Sequence, residues 1–422
     1  MRILFVAHQF FPEFHAGTER VTLNLARAAQ RAGHAVHVLA CALQPSARWR
    51  PSDAVGAMRL GSWDGIPVSV IARVALPPTG DTGFDVDERL ERELRAWMLH
   101  HRFDVVHVMH TMRMATAVLA AQRAGLPLVV TATDFFLPCL RVNLVDVAGR
   151  LCDGPNEGRR CAECCATPAW TAAPLAARWV QARAILAAAH VRVAPSRYVA
   201  SRYEAAFPGL DWKVVPHGVD VLATLDAAPL AGLADGQGPL LAYVGTLVEA
   251  KGPHVLLQAM ARAPNLPLRL VIAGTAPSED RYVREIDRLV AADARVRRLG
   301  ALSSAGVASL MRTIDLLCVP SLVPESFSLV LHEAAAAGVP ALVSALGAPA
   351  EFVAARGGGR AVPAGDVAQW ASALEVVAND SACLDRWRAA VPLPLRLEEE
   401  AFLYESLYRF ALGSRSPAAA AP

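Results

Sequence analysis

The chain has 422 residues, of which 54% are hydrophobic and 19% are charged, and its formal net charge is +2. This length exceeds one ordinary core, so we expect two domains. The near-neutral charge gives no argument for a nucleic-acid partner. No uninterrupted apolar run reaches the roughly 18–20 residues that a membrane-spanning helix needs. The opening MRILFVAHQF lacks a following small-residue cleavage site, so we expect a buried strand and a cytoplasmic protein.

The N-terminal half alternates short apolar runs with helical patterns. Ile3–Ala7 is a continuous apolar run, as in a parallel strand that is buried on both faces. A helical pattern follows and stops at Gly33, before a strand at Ala35–Ala40. The alternation recurs as strand Val105–Met109, helix Ala115–Arg123 and strand Leu128–Ala132. This order predicts a doubly wound α/β domain.

A second series of the same kind begins near Pro239, with strands LLAYVGTL and LRLVIAG each ending near a glycine. The predicted fold class is therefore two Rossmann-like, doubly wound α/β domains that face a central cleft. We expect a first domain at 1–215, with a cysteine-rich insertion at about 135–168, and a second domain at 216–397. A C-terminal helix at about 398–412 is able to pack back on the first domain, and a disordered tail covers 414–422.

Two common phosphate-binding motifs are missing from the sequence. No G-x-G-x-x-G follows the first strand and no G-x-x-x-x-G-K-[ST] occurs, which disfavours a dinucleotide oxidoreductase and a P-loop enzyme. Ligands of such sheets still bind beyond the carboxyl ends of the strands. This rule directs attention to four loops, at His8–Gly17, Gly245–Gly252, Gly274–Pro277 and Pro320–Phe327.

The segment PSLVPESFSLVLHEAAAAGVP places Glu325 in a loop and Glu333 on the second turn of the helix that follows. Serines lie near the N-cap, and the unpaired amides of a helix N-terminus suit an anion. A carboxylate in the loop suits sugar hydroxyls, and one on the second turn suits a ribose diol. Read without further context, Glu325 is a helix-start acid and Glu333 a solvated one, and the segment alone leaves both interpretations open.

Glu325 and Glu333, with seven residues between them and AAAAGVP after them, resemble the E-x7-E signature of the retaining family 4 glycosyltransferases, which have the GT-B fold. GTLVEAKG resembles the phosphate loop of this family, and VVPHGVD resembles its domain-joining segment. AGTE at 16–19 and LGAPAE at 346–351 resemble its two further glycine loops. The resemblance implies transfer of a sugar from a nucleoside-diphosphate sugar to a hydroxyl acceptor, either a glycan or a lipid-linked molecule, in polysaccharide, glycolipid or glycoconjugate synthesis.

The resemblance also implies the site residues. Lys251, Glu325 and His110 are the expected catalytic residues. The expected nucleotide-sugar site comprises Gly17, Gly245, Thr246, Lys251, Gly274, Phe327, Ser328, Leu329 and Glu333. Cations and amides stabilise the departing diphosphate in this family, so no cofactor is expected for catalysis. Only two lysines, Lys213 and Lys251, occur beside 39 arginines, which marks Lys251 as a position where a compact ammonium is required.

Three positions depart from the family pattern. Thr246 stands where an arginine is usual, Ser328 stands at a glycine position, and Thr133 replaces the histidine of a T-x-H-D segment, of which Asp134 remains. These departures keep two alternatives open. One is a nucleotide-sugar-binding protein with weakened turnover, and the other is a GT-B enzyme of another class, such as a phosphorylase or a sugar-nucleotide epimerase.

Two histidines three residues apart, in HVMH, fall where the family often has a histidine pair. We expect His110 in the site and His107 packed within or beside the strand.

Five of the eight cysteines lie within 27 residues, from Cys139 to Cys165. Because such density in a cytosolic chain favours metal over disulfides, we predict a structural zinc, with an iron–sulfur cluster as the alternative. Its expected ligands are Cys139, Cys152, Cys161 and Cys164, and unligated cysteines are the competing interpretation.

The segment 174–193 carries Trp179 with Arg178 and Arg183, which is compatible with a peripheral contact at the inner face of the membrane. Its apolar residues leave little room for a charged face, so a buried domain helix is the favoured interpretation.

Overall fold

The computed structural model describes residues 1–44, 48–233, 236–276 and 281–414. The chain divides into two compact units, Met1–Gly218 together with Leu397–Pro422, and Val219–Arg396. The sequence-based bounds of 1–215 and 216–397 lie close to this division, which falls inside the segment VVPHGVD. The predicted disordered tail lies, from residue 415 onward, outside the described residues.

The first unit is built on a sheet of nine strands among the described residues, in the order β3–β4–β5–β2–β1–β6–β7–β8–β9. Its strands are β1 (Arg2–Ala7), β2 (Ala35–Ala42), β3 (Arg50–Pro51), β4 (Met58–Trp63), β5 (Ile66–Ala72), β6 (Val105–Val108), β7 (Leu128–Thr131), β8 (Val191–Ala194) and β9 (Lys213–Val214). Its helices are α1 (Gly17–Arg31), α2 (Glu88–His101), α3 (Ala115–Arg123), α4 (Arg159–Cys164), α5 (Ala172–Ala188) and α6 (Arg197–Ala206). Residues 3–7 of the central strand β1 are fully buried, as their continuous apolar run predicts.

The edge of this sheet departs from the all-parallel pattern, because β4 runs antiparallel to both β3 and β5. The β4–β5 hairpin turns at Asp64 and Gly65, whose φ angles are 52° and 74°. Two consecutive positive φ values define a type I′ turn, which Asp-Gly favours. The Asp-Gly dipeptide is therefore typical of a hairpin, which the predicted pattern of β-α-β units does not include.

The C-terminal helix (Leu397–Gly413) belongs to the first unit and packs against α1, β6 and β7. A buried polar network holds it there. His107 in β6 bonds the Tyr408 hydroxyl through Nδ1 at 2.7 Å and the Thr131 hydroxyl through Nε2 at 2.7 Å. Tyr404 adds a hydrogen bond to the Thr131 hydroxyl at 2.9 Å. His107 thus has a packing role within the sheet, as expected.

The second unit is built on a parallel sheet with six strands in the described part of the chain, in the order β12–β11–β10–β13–β14–β15. Its strands are β10 (Leu240–Val244), β11 (Arg269–Ala273), β12 (Val296–Gly300), β13 (Leu316–Val319), β14 (Ala341–Ser344) and β15 (Gly359–Val362). Its helices are α7 (Val221–Asp226), α8 (Pro253–Arg262), α9 (Arg281–Ala291), α10 (Ser304–Met311), α11 (Leu329–Ala336), α12 (Gly347–Arg356), α13 (Val367–Asn379) and α14 (Ser381–Ala390). Apolar clusters cover both faces of this sheet, so the fold class predicted from the alternating pattern is confirmed.

Helix α5 packs Arg178 and Trp179 against the rest of the first unit. The Arg178 side chain is buried and donates to the backbone carbonyls of Thr82, Phe136 and Leu137, so it offers no charge to a membrane surface. Trp179 stacks on Phe207 with ring centroids 5.9 Å apart. Among the residues that the structure describes, no helix is both long and apolar enough to cross a membrane.

Candidate functional site

In the second unit, the predicted binding loops all follow strands at the carboxyl edge of the sheet. Gly245 follows β10, Gly274 follows β11, the loop with Glu325 follows β13, and Gly347 follows β14. These four strands are neighbours in the sheet order. The topology therefore brings the loops side by side at the edge where α/β sheets bind ligands.

The centre of this edge is an ion pair between two of the predicted catalytic residues. Lys251, in a 3₁₀ turn at Glu249–Lys251, places Nζ 2.9 Å from Oε1 of Glu325. The Glu325 side chain is 10% exposed and that of Lys251 is 39% exposed. The carboxylate is thus enclosed, whereas the ammonium keeps access to a ligand.

The ionised state of Glu325 is stabilised by its neighbours. Burial acts to raise the pKa of this carboxyl, but the Lys251 charge and a hydrogen bond from the Ser321 hydroxyl outweigh burial, and the pKa is lowered. Glu325 therefore stays a carboxylate, which accepts hydrogen bonds and donates none. Such a group suits the hydroxyls of a sugar.

Close backbone packing fixes the position of Glu325. A Cβ added at Gly347 would lie 2.6 Å from both the backbone nitrogen and the backbone oxygen of Glu325, and the Gly347 φ is +67°. The Ala348 amide donates to the Glu325 carbonyl at 2.9 Å. The loop after β14 is thus pressed against the loop after β13, and only glycine fits at the contact.

The loops that follow β10 and β11 are packed in the same manner. A Cβ at Gly274 would lie 1.7 Å from the carbonyl oxygen of Gly245, so these two glycine positions abut. The Tyr243 hydroxyl donates a hydrogen bond to the Thr246 carbonyl at 2.7 Å, and the Leu247 amide donates to the Thr275 carbonyl at 2.8 Å. The Leu322 amide donates to the Ala250 carbonyl at 2.8 Å, which ties the Lys251 turn to the Glu325 loop.

Helix α11 begins at Leu329, shortly after Glu325, so its N-terminus lies at this edge. Ser328 is the N-cap residue, but its side chain makes no capping hydrogen bond. Phe327 is buried and stacks on His332 with ring centroids 3.8 Å apart, which anchors the first turn that starts at Leu329. Glu333 lies half-buried in the second turn, as the sequence pattern predicts.

The first unit carries a second polar cluster at the carboxyl ends of its strands. His110, just after β6, bonds Asp134 through Nε2 at 2.7 Å, and its Nδ1 accepts the Met112 amide at 3.1 Å. Because Nδ1 is an acceptor, the proton lies on Nε2 and is donated to Asp134. Both ring nitrogens of His110 are therefore engaged, which suits positioning more than proton transfer.

His8 and Glu19 lie beside His110. The His8 and His110 ring centroids are 4.0 Å apart, and His8 Nε2 lies 3.6 Å from a carboxyl oxygen of Glu19. Burial raises the pKa of Glu19, and it lowers the pKa of His8 well below the ordinary value. Gly17 begins α1, and a Cβ there would meet no atom within 4 Å, so its own fold does not require a glycine.

The cysteine insertion also lies in the first unit. Burial and the neighbouring Cys139, Cys152 and Cys164 raise the pKa of Cys161 to about 11. None of the eight cysteines forms a disulfide. Within the described ranges, however, no three His, Cys, Asp or Glu side chains are arranged to hold a metal ion. The zinc site, with its iron–sulfur alternative, stays a prediction.

Three contributors to these clusters were not predicted as site residues. They are His8, Glu19 and Ser321. His8 is the first polar residue after the buried strand β1, a position that is itself a signal. Glu19 and Ser321 become meaningful only through contacts that the fold creates, and their spacing in the sequence gave no such signal.

Comparison with known proteins places this architecture in a class. Solved structures that resemble this chain over nearly its whole length are GT-B glycosyltransferases. HepE of Anabaena, solved in complex with UDP and glucose, superposes with a TM-score of 0.67 at 18% identity, covering 97% of this chain and 100% of HepE. At that identity the likeness establishes the fold, which is GT-B.

Family models and curated relatives narrow the class. The model described as Glycosyltransferase Family 4 matches residues 15–221, and the model described as Glycosyl transferases group 1 matches 231–392. The phosphatidyl-myo-inositol mannosyltransferase of Mycolicibacterium smegmatis is 29% identical over 90% of this chain and 85% of its own length. The D-inositol 3-phosphate glycosyltransferase of the same organism is 36% identical over 44% of this chain and 42% of its own length. The chain belongs to glycosyltransferase family 4 and is a glycosyltransferase.

Proposed function

We propose that the chain transfers a sugar from a nucleoside-diphosphate sugar to a hydroxyl acceptor with retention of the anomeric configuration. The observation that carries this proposal is the Lys251–Glu325 ion pair, 2.9 Å long, beside the N-terminus of α11. A cation and a helix N-terminus at one edge suit the growing charge of a departing diphosphate. A buried carboxylate next to them suits the hydroxyls of the transferred sugar.

The proposed reaction needs no covalent link to the protein. The acceptor oxygen forms a bond to the anomeric carbon on the face from which the diphosphate leaves, while the bond from that carbon to the phosphate oxygen breaks. The leaving phosphate oxygen takes the acceptor proton. Lys251 stabilises the diphosphate charge, Glu325 orients the sugar, and Glu333 accepts hydrogen bonds from the ribose.

The relatives suggest which molecules to test. HepE was solved with UDP-glucose as well as with UDP and glucose, which supports a nucleotide-sugar donor. Two relatives are named for phosphatidyl-myo-inositol and D-inositol 3-phosphate, which supports a hydroxyl of a phosphorylated polyol, lipid-linked or free, as acceptor. Single-turnover assays should pair a panel of nucleoside-diphosphate hexoses with both acceptor types, and NMR should assign the anomeric configuration of the product. An inverted product would contradict retention, and donor binding without any product would favour the nucleotide-sugar-binding alternative.

The division of roles between the two glutamates has its own test. Glu333→Ala should weaken binding of the free nucleoside diphosphate about tenfold, because a charged acceptor is lost from the ribose. Glu325→Ala should leave that affinity nearly unchanged and reduce discrimination between sugars. Calorimetry with the free diphosphate measures the first effect, with Glu375→Ala, on the exposed face of α13, as the control. Equal losses in both site variants would contradict the assignment.

A further inference from the structure

Ser328 adopts a backbone conformation in which a serine is out of place. Its φ and ψ angles are 75° and 82°, in the left-handed region. Residues with a Cβ rarely occupy this region, because the side chain crowds the following carbonyl, and glycine is the usual occupant. Strain of this kind persists at functional sites when the side chain contributes something that glycine cannot.

The Ser328 hydroxyl does not cap its own helix. A serine at an N-cap normally accepts an amide hydrogen bond from its own helix, but Ser328 makes no such bond. Its oxygen is buried and has no well-formed hydrogen bond within the part of the chain that the structure describes. The hydroxyl lies near the Glu325 carboxylate and helps to lower the pKa of that group, after the larger effects of Lys251 and Ser321.

The neighbours of Ser328 indicate the ligand group that its hydroxyl meets. Glu325 is held as a carboxylate by Lys251 and Ser321, and its backbone is fixed by Gly347. A carboxylate and a hydroxyl side by side can accept from and donate to one sugar hydroxyl at the same time. Such a pair rejects a sugar whose hydroxyl is absent or inverted, because buried polar groups are then left unpaired.

We propose that Ser328 is a specificity-determining residue, whose hydroxyl binds, together with Glu325, one hydroxyl of the transferred sugar. This inference rests on the proposed function, since it requires a nucleoside-diphosphate sugar in the second unit. The backbone strain at residue 328 is then the cost of placing a side-chain hydroxyl at that point.

Two variants separate the hydroxyl from the backbone. Ser328→Ala keeps the strained Cβ and removes the hydroxyl, whereas Ser328→Gly removes both. In both variants the ratio of kcat/KM for the best donor to kcat/KM for its epimers should fall about five- to tenfold. A change of this size corresponds to the loss of one neutral hydrogen bond. Both should leave the affinity for the free nucleoside diphosphate within about twofold, and Ser328→Gly should raise the Tm.

The matched control is Arg102→Gly. Arg102 ends α2 with a φ of 53° and is exposed, so its replacement relieves a left-handed backbone conformation in the other unit of the chain. It should raise the Tm and leave the donor preference unchanged.

The outcomes distinguish the inference from the function on which it rests. A donor preference that is unchanged in both Ser328 variants overturns the inference, and so does an equal loss of free diphosphate affinity, which would assign the hydroxyl to the phosphates. A wild-type protein that binds and turns over none of the nucleoside-diphosphate sugars overturns the proposed function, and the inference with it.

Discussion

Lys251 shows at the scale of one residue how a charge is kept available. Its ammonium pairs with the enclosed Glu325 carboxylate, and its partial exposure allows a phosphate to approach. Lys251→Ala should lower kcat about 100-fold, since losing one preorganised group costs roughly 3 kcal/mol of barrier. Substrate binding should change much less, because the diphosphate charge grows as the bond breaks. Steady-state kinetics with the best donor measures both effects.

The other lysine of the chain is the natural control. Lys213 is exposed in β9 of the first unit, so Lys213→Ala removes the same charge from a different sheet. Its kcat should equal that of the wild type. An unchanged kcat in Lys251→Ala would remove Lys251 from the mechanism.

At the scale of elements, the loops after β13 and β14 depend on each other through one contact. Gly347→Ala would drive a Cβ to within 2.6 Å of the Glu325 backbone and strain a φ of +67°. We expect a loss of activity of at least tenfold and a stability loss of roughly 1–3 kcal/mol. Gly338→Ala is the matched control, because Gly338 has a φ of +72° but no atom within 4 Å of an added Cβ. Equal activity losses in the two variants would show that the contact with Glu325 is unimportant.

The elements also show how far the sequence could be interpreted. The spacing of apolar residues and the glycine stops predicted the parallel strands of both sheets. The E-x7-E pattern predicted that Glu325 and Glu333 flank the start of α11. The Gly347–Glu325 contact was beyond prediction, because it joins two loops that only the sheet order brings together. The strained backbone of Ser328 was likewise unpredictable, since propensity alone argues against a serine there.

The cysteine insertion is an element whose metal remains a prediction. Burial and the neighbouring Cys139, Cys152 and Cys164 raise the pKa of Cys161, and the Arg178 guanidinium is buried, with burial lowering its pKa to about 10. Zinc binds the thiolate, so a metal ion at Cys161 would have to displace the proton that this raised pKa retains. Protein purified without oxygen should contain about one zinc per chain, or iron with a visible absorption band.

Substitutions distinguish a metal site from a cluster of thiols. Cys161→Ala should abolish the metal and lower the Tm, whereas alanine at Cys41 or Cys318, both buried in sheets, should leave the metal in place. Elemental analysis of the wild type and the three variants is the measurement. Absence of stoichiometric metal in the wild type would leave unligated cysteines as the correct interpretation.

At the scale of the whole molecule, buried neutral histidines set the response to acid. Burial lowers the pKa of His107 to about 3 and that of His37 to about 4. In the unfolded chain both would titrate near ~6.5, so the unfolded state takes up protons first as the pH falls. The stability that these histidines contribute by staying neutral and buried is therefore complete above pH ~6.5. It is lost progressively as the pH falls toward their pKa values in the folded protein. For His107 the loss reaches up to ~1.4 kcal/mol per pH unit.

Scanning calorimetry between pH ~6.5 and ~5 isolates this effect, because carboxyl groups in the unfolded chain stay mostly ionised in that window. The Tm of the wild type should fall steadily across it. His37→Gln should show a smaller fall in Tm, since one proton-uptake site of the unfolded chain is gone. The glutamine side chain can still bond the Ser69 hydroxyl, which lies 2.9 Å from Nε2 of His37 in the wild type. A Tm that is flat across this window in the wild type would contradict the assignment of neutral, buried histidines.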